Sequence, residues 1–294
     1  MTTFRGLWTA TAAATLFLIS ACAQPAAESV AGAAGTSSAP PQGKISADGL
    51  VLRVAYSGGF VTPDMRAGRL PKVSVYADGR VITEGPTTME FPGPALPNLQ
   101  VVSISPEQAV ALANKATAAG VTTGTDFGTP GVADAPATEV TAVTASGAQT
   151  VAAEALGEAR ADDPALTDAQ KQARAKLRTF LDEVDKLTAD PAIKPVGYKP
   201  EILAAVAGPY VVTDDTVRPQ TTEWPGPVLP GEPLAEGLDL TCVTVTGEQL
   251  APVLAAAEKA KSNTSWTYGG NAWSLRFRPL LPDETGCADL KATR

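Results

Sequence analysis

The chain has 294 residues, 44% of them hydrophobic, with 23 Lys and Arg against 31 Asp and Glu and a net charge of −8. It is long enough for one sizeable core or two small ones, and its acidity excludes a nucleic-acid ligand, which needs a basic face to displace counterions. There is no histidine, which removes Ser-His-Asp and Cys-His catalysis, His-ligated zinc and the commonest general base near neutral pH.

At the N-terminus Arg5 precedes an apolar stretch from Leu7 to Ile19, which ends in small residues and a cysteine, Ile19-Ser20-Ala21-Cys22. The stretch is shorter than the roughly 20 apolar residues of a membrane span. The four residues resemble the lipobox of bacterial lipoproteins. That resemblance implies a signal peptide over residues 1–21, a diacylglycerol thioether and further acyl (palmitate-type) lipidation at Cys22, and anchorage on the extracytoplasmic face of the cell membrane. Two or more acyl chains make a durable anchor where one is marginal. An ordinary secretory signal that happens to end in a cysteine is the competing reading. Removing residues 1–21, which hold Arg5 and no carboxylate, makes the mature chain one unit more acidic. Residues 22–48, rich in Ala, Gly, Ser and Pro, read as a flexible tether reaching about 25–30 Å.

The first half, residues 49–190, reads as strands followed by helices. LVLRVAY from Leu50 alternates, and KVSVYADGRVITEG from Lys72 is a hairpin turning at Asp78-Gly79. Ser105, Pro106 and Gln108 open a helix with a capping box, Gly120 stops it, and Ala109, Leu112, Ala116 and Ala119 share its apolar face. A second hairpin is expected through Ser146-Gly147. Thr167 and Gln170 then cap a long helix, Asp168 to Leu187, with Leu177, Phe180, Leu181 and Val184 in its core stripe. Its charges, Arg174 and Arg178 among them, read as a solvated face.

Residues 191–199 hold a proline-rich linker to the second half, residues 200–294. Pro252 lies inside a helix pattern and should kink the helix or shift its start. SWTYGGNAWSLRFR reads as a hairpin turning at Gly269-Gly270. Outside the cytoplasm the remaining cysteines, Cys242 and Cys287, are expected to form a disulfide; the alternative, a free reactive thiol, has no histidine nearby to make a thiolate. Trp224, Trp266, Tyr268 and Trp273 have two readings, core filling or a platform that binds sugar or peptide.

One phrase occurs twice: EFPGPALP (Glu90–Pro97) returns as EWPGPVLP (Glu223–Pro230). Each copy is preceded by a glycine-containing strand and followed by a capped helix and a β-branched or aromatic run. This order suggests a diverged duplication, with chance as the alternative. The expected fold is therefore α+β, two related halves, each an antiparallel sheet packed with one or two helices.

The run LPKVSVYADGRVI with FPGPALP resembles uncharacterised secreted lipoproteins of high-G+C Gram-positive bacteria, a likeness that carries no activity. Ser57-Gly58-Gly59-Phe60, followed by a helix, a strand pair and a final helix, resembles emfourin-type inhibitors of thermolysin-like metalloproteases. The extra hairpin and the FPGPALP insertion depart from that pattern. No catalytic residue is assigned: Ser57 lacks the glycine two residues before it and any histidine, and adjacent pairs such as Asp162-Asp163, Asp182-Glu183 and Asp214-Asp215 point apart. Asp126 and Asp134 could touch calcium through oxygen ligands but lack EF-hand spacing, and no metal or organic cofactor is implied.

The functional expectation is a non-catalytic, lipid-anchored binding or interaction module whose partners are the membrane, through its lipid, and an envelope or secreted protein. A surface proteinase inhibitor would present a rigid loop, for which the two PGP.LP segments are candidates. A histidine-free carboxylate enzyme would show a deep acidic cleft with a raised carboxylate pKa, and a ligand-delivery lipoprotein a large apolar cavity.

Overall fold

The computed structural model describes residues 46, 48–189, 194–212, 218–234 and 236–291. Cys22, the lipobox, the tether apart from Ser46 and Asp48, and Asp214-Asp215 lie outside them. The fold is α+β, as expected, with two sheets. No helix among the described residues is long and apolar enough to cross a membrane.

The first sheet is built from β1 (Leu50–Gly58), β2 (Val73–Tyr76), β3 (Arg80–Glu84), β4 (Leu99–Ser103), β5 (Pro136–Thr144), β6 (Gly147–Glu154) and β7 (Val196–Gly197). Their spatial order is β6-β5-β1-β2-β3-β4-β7, antiparallel throughout. Three helices interrupt them: α1 (Pro63–Ala67), α2 (Pro106–Ala118) and α3 (Asp168–Thr188). The second sheet holds β8 (Leu203–Pro209), β9 (Thr221–Glu223), β10 (Glu232–Pro233), β11 (Thr241–Val245), β12 (Ser265–Tyr268) and β13 (Asn271–Pro279), in the order β10-β11-β8-β13-β12-β9. Its helices are α4 (Leu250–Lys259) and α5 (Cys287–Lys291).

Local chemistry sets the element ends. Ser105 Oγ accepts from the Gln108 amide while Ser105 N donates to Gln108 Oε1, and Thr167 with Gln170 repeats the arrangement at α3. Tyr268 faces Asn271 across a two-residue turn whose glycines, Gly269 and Gly270, have φ of 59° and 79°, the conformation that a tight hairpin of this twist requires. Pro252 sits in the first turn of α4, after a 3-10 turn at Gly247–Gln249, where its missing N–H costs nothing.

Alternation along the strands gives each sheet two covered faces. Val73, Val75 and Val81 pack with Leu112 of α2 and Leu177 and Phe180 of α3. On the opposite face Tyr76, Ile82 and Leu99 pack against Leu281, which follows β13. In the second sheet Leu203, Ala205 and Ala207 face α4 and the tryptophans, while Ala204 and Val206 face Ala67 of α1, Cys242 and Cys287. The disulfide between those cysteines spans a Cα–Cα distance of 5.8 Å and 45 residues of chain, a closure worth about 4 kcal/mol in the chain-entropy model.

The chain passes from one sheet to the other between Gly197 and Leu203, but the cores exchange side chains. Ala95 and Leu96, between β3 and β4, join the core of the second sheet, Ala67 joins its other face, and Leu281 returns to the first. Beside Leu281, Asp283 Oδ1 accepts from Arg53 Nη2 at 2.8 Å and from the Tyr76 hydroxyl at 2.7 Å. Burial holds the Tyr76 phenol well above its ordinary pKa, so it stays a donor to that carboxylate. Arg278, almost wholly buried, pairs with Glu284 at 2.7 Å. These contacts fasten the strands of the first sheet to the C-terminal segment.

The halves share the chain order of their features but not the sheet order. The β2–β3 hairpin separates β1 from β4, whereas β8 pairs directly with β11. The strand after α2, β5, lies beside β1, whereas the strand after α4, β12, is kept from β8 by β13. Arg174 and Arg178 correct the reading of the α3 charges as a solvated face: Arg174 is buried and Arg178 half-buried, and both donate to backbone carbonyls.

Candidate functional site

A difference in strand length opens the main cleft. β2 begins at Val73, opposite Val54, but β1 runs on to Gly58 with only β5 beside it. The edge exposed beyond Val54 is met by a side chain: Arg69 Nη1 donates to the carbonyl oxygens of Tyr56 and Gly58, 3.1 Å each. That guanidinium occupies carbonyls that a further strand would otherwise use. Gly58 and Gly59, with φ of 64° and 79°, then turn the chain away, and Phe60 N donates to Asp134 O at 3.2 Å.

The space left is a cleft of about 860 Å³. Tyr56, Met65, Leu70, Leu96 and Phe277 supply apolar wall, and Arg69, Lys72, Glu84 and Arg276 supply charge. Arg276 is held by Asp64 at 2.9 Å and Lys72 by Asp185 at 2.7 Å. Both pairs are more than a third exposed, so they position side chains more than they stabilise the fold. Burial works to raise the Asp64 carboxyl, but Thr62 and Arg276 together hold it below the usual carboxylate range. Every described carboxylate with a displaced pKa is displaced downward, Asp126 and Asp289 among them.

Large exposed apolar side chains stand on the two segments that supply Val61 and Thr88 to the lining. Phe60 is 89% exposed and precedes the lining residue Val61; Met89, fully exposed, follows the lining residue Thr88; Phe91 is 75% exposed. The segment carrying Met89 and Phe91 is pinned. Glu90 Oε1 accepts from Thr88 Oγ1 at 3.0 Å and from Lys261 Nζ at 2.8 Å. Ala95 N donates to Ala260 O, and Ser262 N to Gly93 O.

The two copies of the repeated phrase have different surroundings. The first carries a cis Phe91-Pro92 bond and an exposed Phe91; the second carries a cis Leu229-Pro230 bond, with Trp224 and Leu229 buried. The second copy is thus anchored in the core by Trp224 and Leu229, while Val228 between them stays exposed. Trp224 Nε1 donates to Pro227 O at 2.6 Å, and a Cβ at Gly226 would collide with the Trp224 indole, so the loop folds onto its own tryptophan.

The aromatic platform is corrected by burial. Trp224 and Trp266 are core residues, 3% and 1% exposed, packed edge to face at 5.8 Å, with Phe277 5.5 Å from Trp266. Tyr268 and Trp273 are half-buried against the same cluster. Indoles bury here because the small alanines of β8 leave a wide gap beneath α4. Asp126 is engaged by its own loop and by α3, accepting from Gly128 N and from Gln170 Nε2. No group of three Cys, Asp or Glu side chains that could hold a metal ion occurs among the described residues. Sequence reading missed Phe60, Met89 and Phe91 as a group, because nothing in local spacing says that the segments after Gly59 and after Pro86 border one cleft. No family model matches the chain, and neither a curated protein nor a solved structure does.

Proposed function

We propose that this protein is a lipid-anchored, extracytoplasmic, non-catalytic binding module that grips a segment of a partner polypeptide at the mouth of its cleft. The observation that carries the reading is the exposure of Phe60, Met89 and Phe91 on two segments that border a cleft of about 860 Å³ through Val61 and Thr88. Each such side chain forgoes about 1.5–3 kcal/mol that burial would release, and grouped exposed apolar residues mark interaction sites. Met89 adds an adaptable contact. Cys22, through its lipobox resemblance, supplies the anchor.

The test is selection of displayed peptides on the soluble Cys22→Ser protein, followed by binding to the Phe60→Ser/Met89→Ser/Phe91→Ser variant. Selected peptides should lose at least about tenfold in affinity on the variant, roughly the loss of one buried apolar side chain. Peptides that bind both proteins equally would sink the reading.

A second reading, inhibition of a thermolysin-like metalloprotease, is favoured by one feature. Met89 and Phe91 project on either side of Glu90, whose carboxylate is fastened to Lys261, and a segment held in this way binds with little ordering cost. Inhibition assays against thermolysin decide it: inhibition by the Cys22→Ser protein that is lost in Phe91→Ala supports it, and undiminished proteolysis at saturating protein removes it.

A further inference from the structure

A separate concavity of about 250 Å³ lies along α3 and shares no lining residue with the cleft. Four of its lining residues are cations: Arg160, Lys171, Arg174 and Arg178. That is unexpected on a chain whose carboxylates outnumber its cations by eight. Only Arg160 has a carboxylate partner, Asp162, at 2.9 Å on the exposed surface.

The other three cations have no ion pair among the described residues. Arg174 is 1% exposed, and its guanidinium donates only to backbone: Nη1 to Phe127 O at 3.2 Å, and Nη2 to Glu154 O at 2.7 Å and Ala155 O at 2.9 Å. Its Nε is buried without a partner. Arg178 donates Nε to Leu156 O and Nη2 to Ala159 O, which leaves Nη1 unengaged. The Lys171 ammonium makes no hydrogen bond or ion pair among the described residues, and Asp162, paired with Arg160, acts on it only from beyond that range. Asp163, the buried acid nearby, uses Oδ1 to accept from Ala165 N, and acts on Arg174 only from beyond hydrogen-bonding range, as Glu154 and Glu158 do.

A buried cation held by carbonyl dipoles alone keeps much of its desolvation cost, and an anion close by would offset it. Burial accordingly pulls the Arg174 pKa below its usual value, with Arg178 adding to the effect. Carbonyls fix the planes of both guanidinium groups, which pre-orders the pocket for an oxyanion.

We propose that this pocket binds a phosphate group, contacted by Lys171 and the free Nη1 of Arg178, with Arg174 beneath supplying positive potential. The phosphate is either free in solution or part of an anionic lipid headgroup. The experiment is calorimetric titration of the Cys22→Ser chain with inorganic phosphate at constant ionic strength, alongside cosedimentation with phosphatidylglycerol vesicles and with neutral phosphatidylcholine vesicles. Saturable binding that falls at least about tenfold in both Lys171→Ala and Arg178→Gln, and is unchanged in Lys259→Ala on α4, supports the site. Lys171→Ala removes no structural bond, so its loss of binding cannot be assigned to unfolding. Binding in the titration alone identifies free phosphate; Lys171-dependent sedimentation with the anionic vesicles alone identifies the headgroup. Absence of binding in both arms, or binding untouched by either substitution, overturns the proposal.

Discussion

Asp289 receives donors from Thr285 N at 2.6 Å, Thr285 Oγ1 at 3.1 Å and Gly286 N at 3.1 Å, immediately before the disulfide residue Cys287. The Thr285 amide is the main cause that holds its carboxyl below the ordinary range, with Gly286 N and the Thr285 hydroxyl adding to it. A depressed carboxylate stabilises the fold above its unfolded pKa, about 3.9, and the contribution fades as pH falls through the lower folded value. Asp289→Asn should therefore cost about 1 kcal/mol at pH 7, and urea titrations should show the gap from wild type narrowing below about pH 4. At the second sheet, Trp266→Ala should cost about 3–5 kcal/mol by leaving a cavity beside Trp224 and Phe277. Its near-UV circular dichroism should lose the signal of a rigid indole. Burial of these indoles was one of the two readings open from composition. The burial of Arg174 was not legible, because periodicity counts arginine as polar and cannot see three carbonyls converging on it from Phe127, Glu154 and Ala155.

Turns and caps were legible where one or two residues decide them. The β2–β3 turn shows how far that goes. Asp78-Gly79 announces a reversal, and Gly79 indeed has φ of 92°. A longer-range constraint is invisible in that dipeptide: Ile104 N donates to Gly79 O, and a Cβ at Gly79 would strike the Ile104 carbonyl oxygen. The hairpin is thus clamped by the start of the loop into α2. Gly79→Ala should cost about 1–3 kcal/mol, and a lowered urea midpoint with unchanged slope would register it. The cleft was illegible for a related reason. It exists because β1 outruns β2 by four residues, and relative strand length is settled by pairing across the sheet.

Over the whole described body, α+β class and two sheets followed from element order, since strand and helix periods differ. The exchange between cores did not, because sequence spacing carries no record of which sheet a loop covers. Ala95 and Leu96 move one way across the boundary and Leu281 the other. Neither sheet then has a complete core on its own. A chain ending at Pro279 loses Leu281, the Asp283 and Glu284 pairs and the cysteine at 287. It should lack a cooperative unfolding transition, and the amide resonances of β2 should lose their dispersion along with those of β11. Persistence of native-like β2 resonances in that truncation would show that the first sheet closes without the C-terminal segment.

Arg53 and Asp283 are 230 positions apart, and that separation has a meaning in the time of synthesis. The residues that close the outer face of the first sheet are made only after β13, once the strands of both sheets have been synthesised. Until they emerge, Tyr76, Ile82 and Leu99 lack the cover of Leu281, and this face of the first sheet stays incomplete while every strand of both sheets is made. Under the proposed extracytoplasmic route, in which the chain crosses a membrane before it folds, arrival of the segment after β13 is the trigger for compaction. Ribosome-stalled intermediates halted before Leu280 should remain sensitive to protease, and released chains that carry the segment from Leu281 to Lys291 should become resistant.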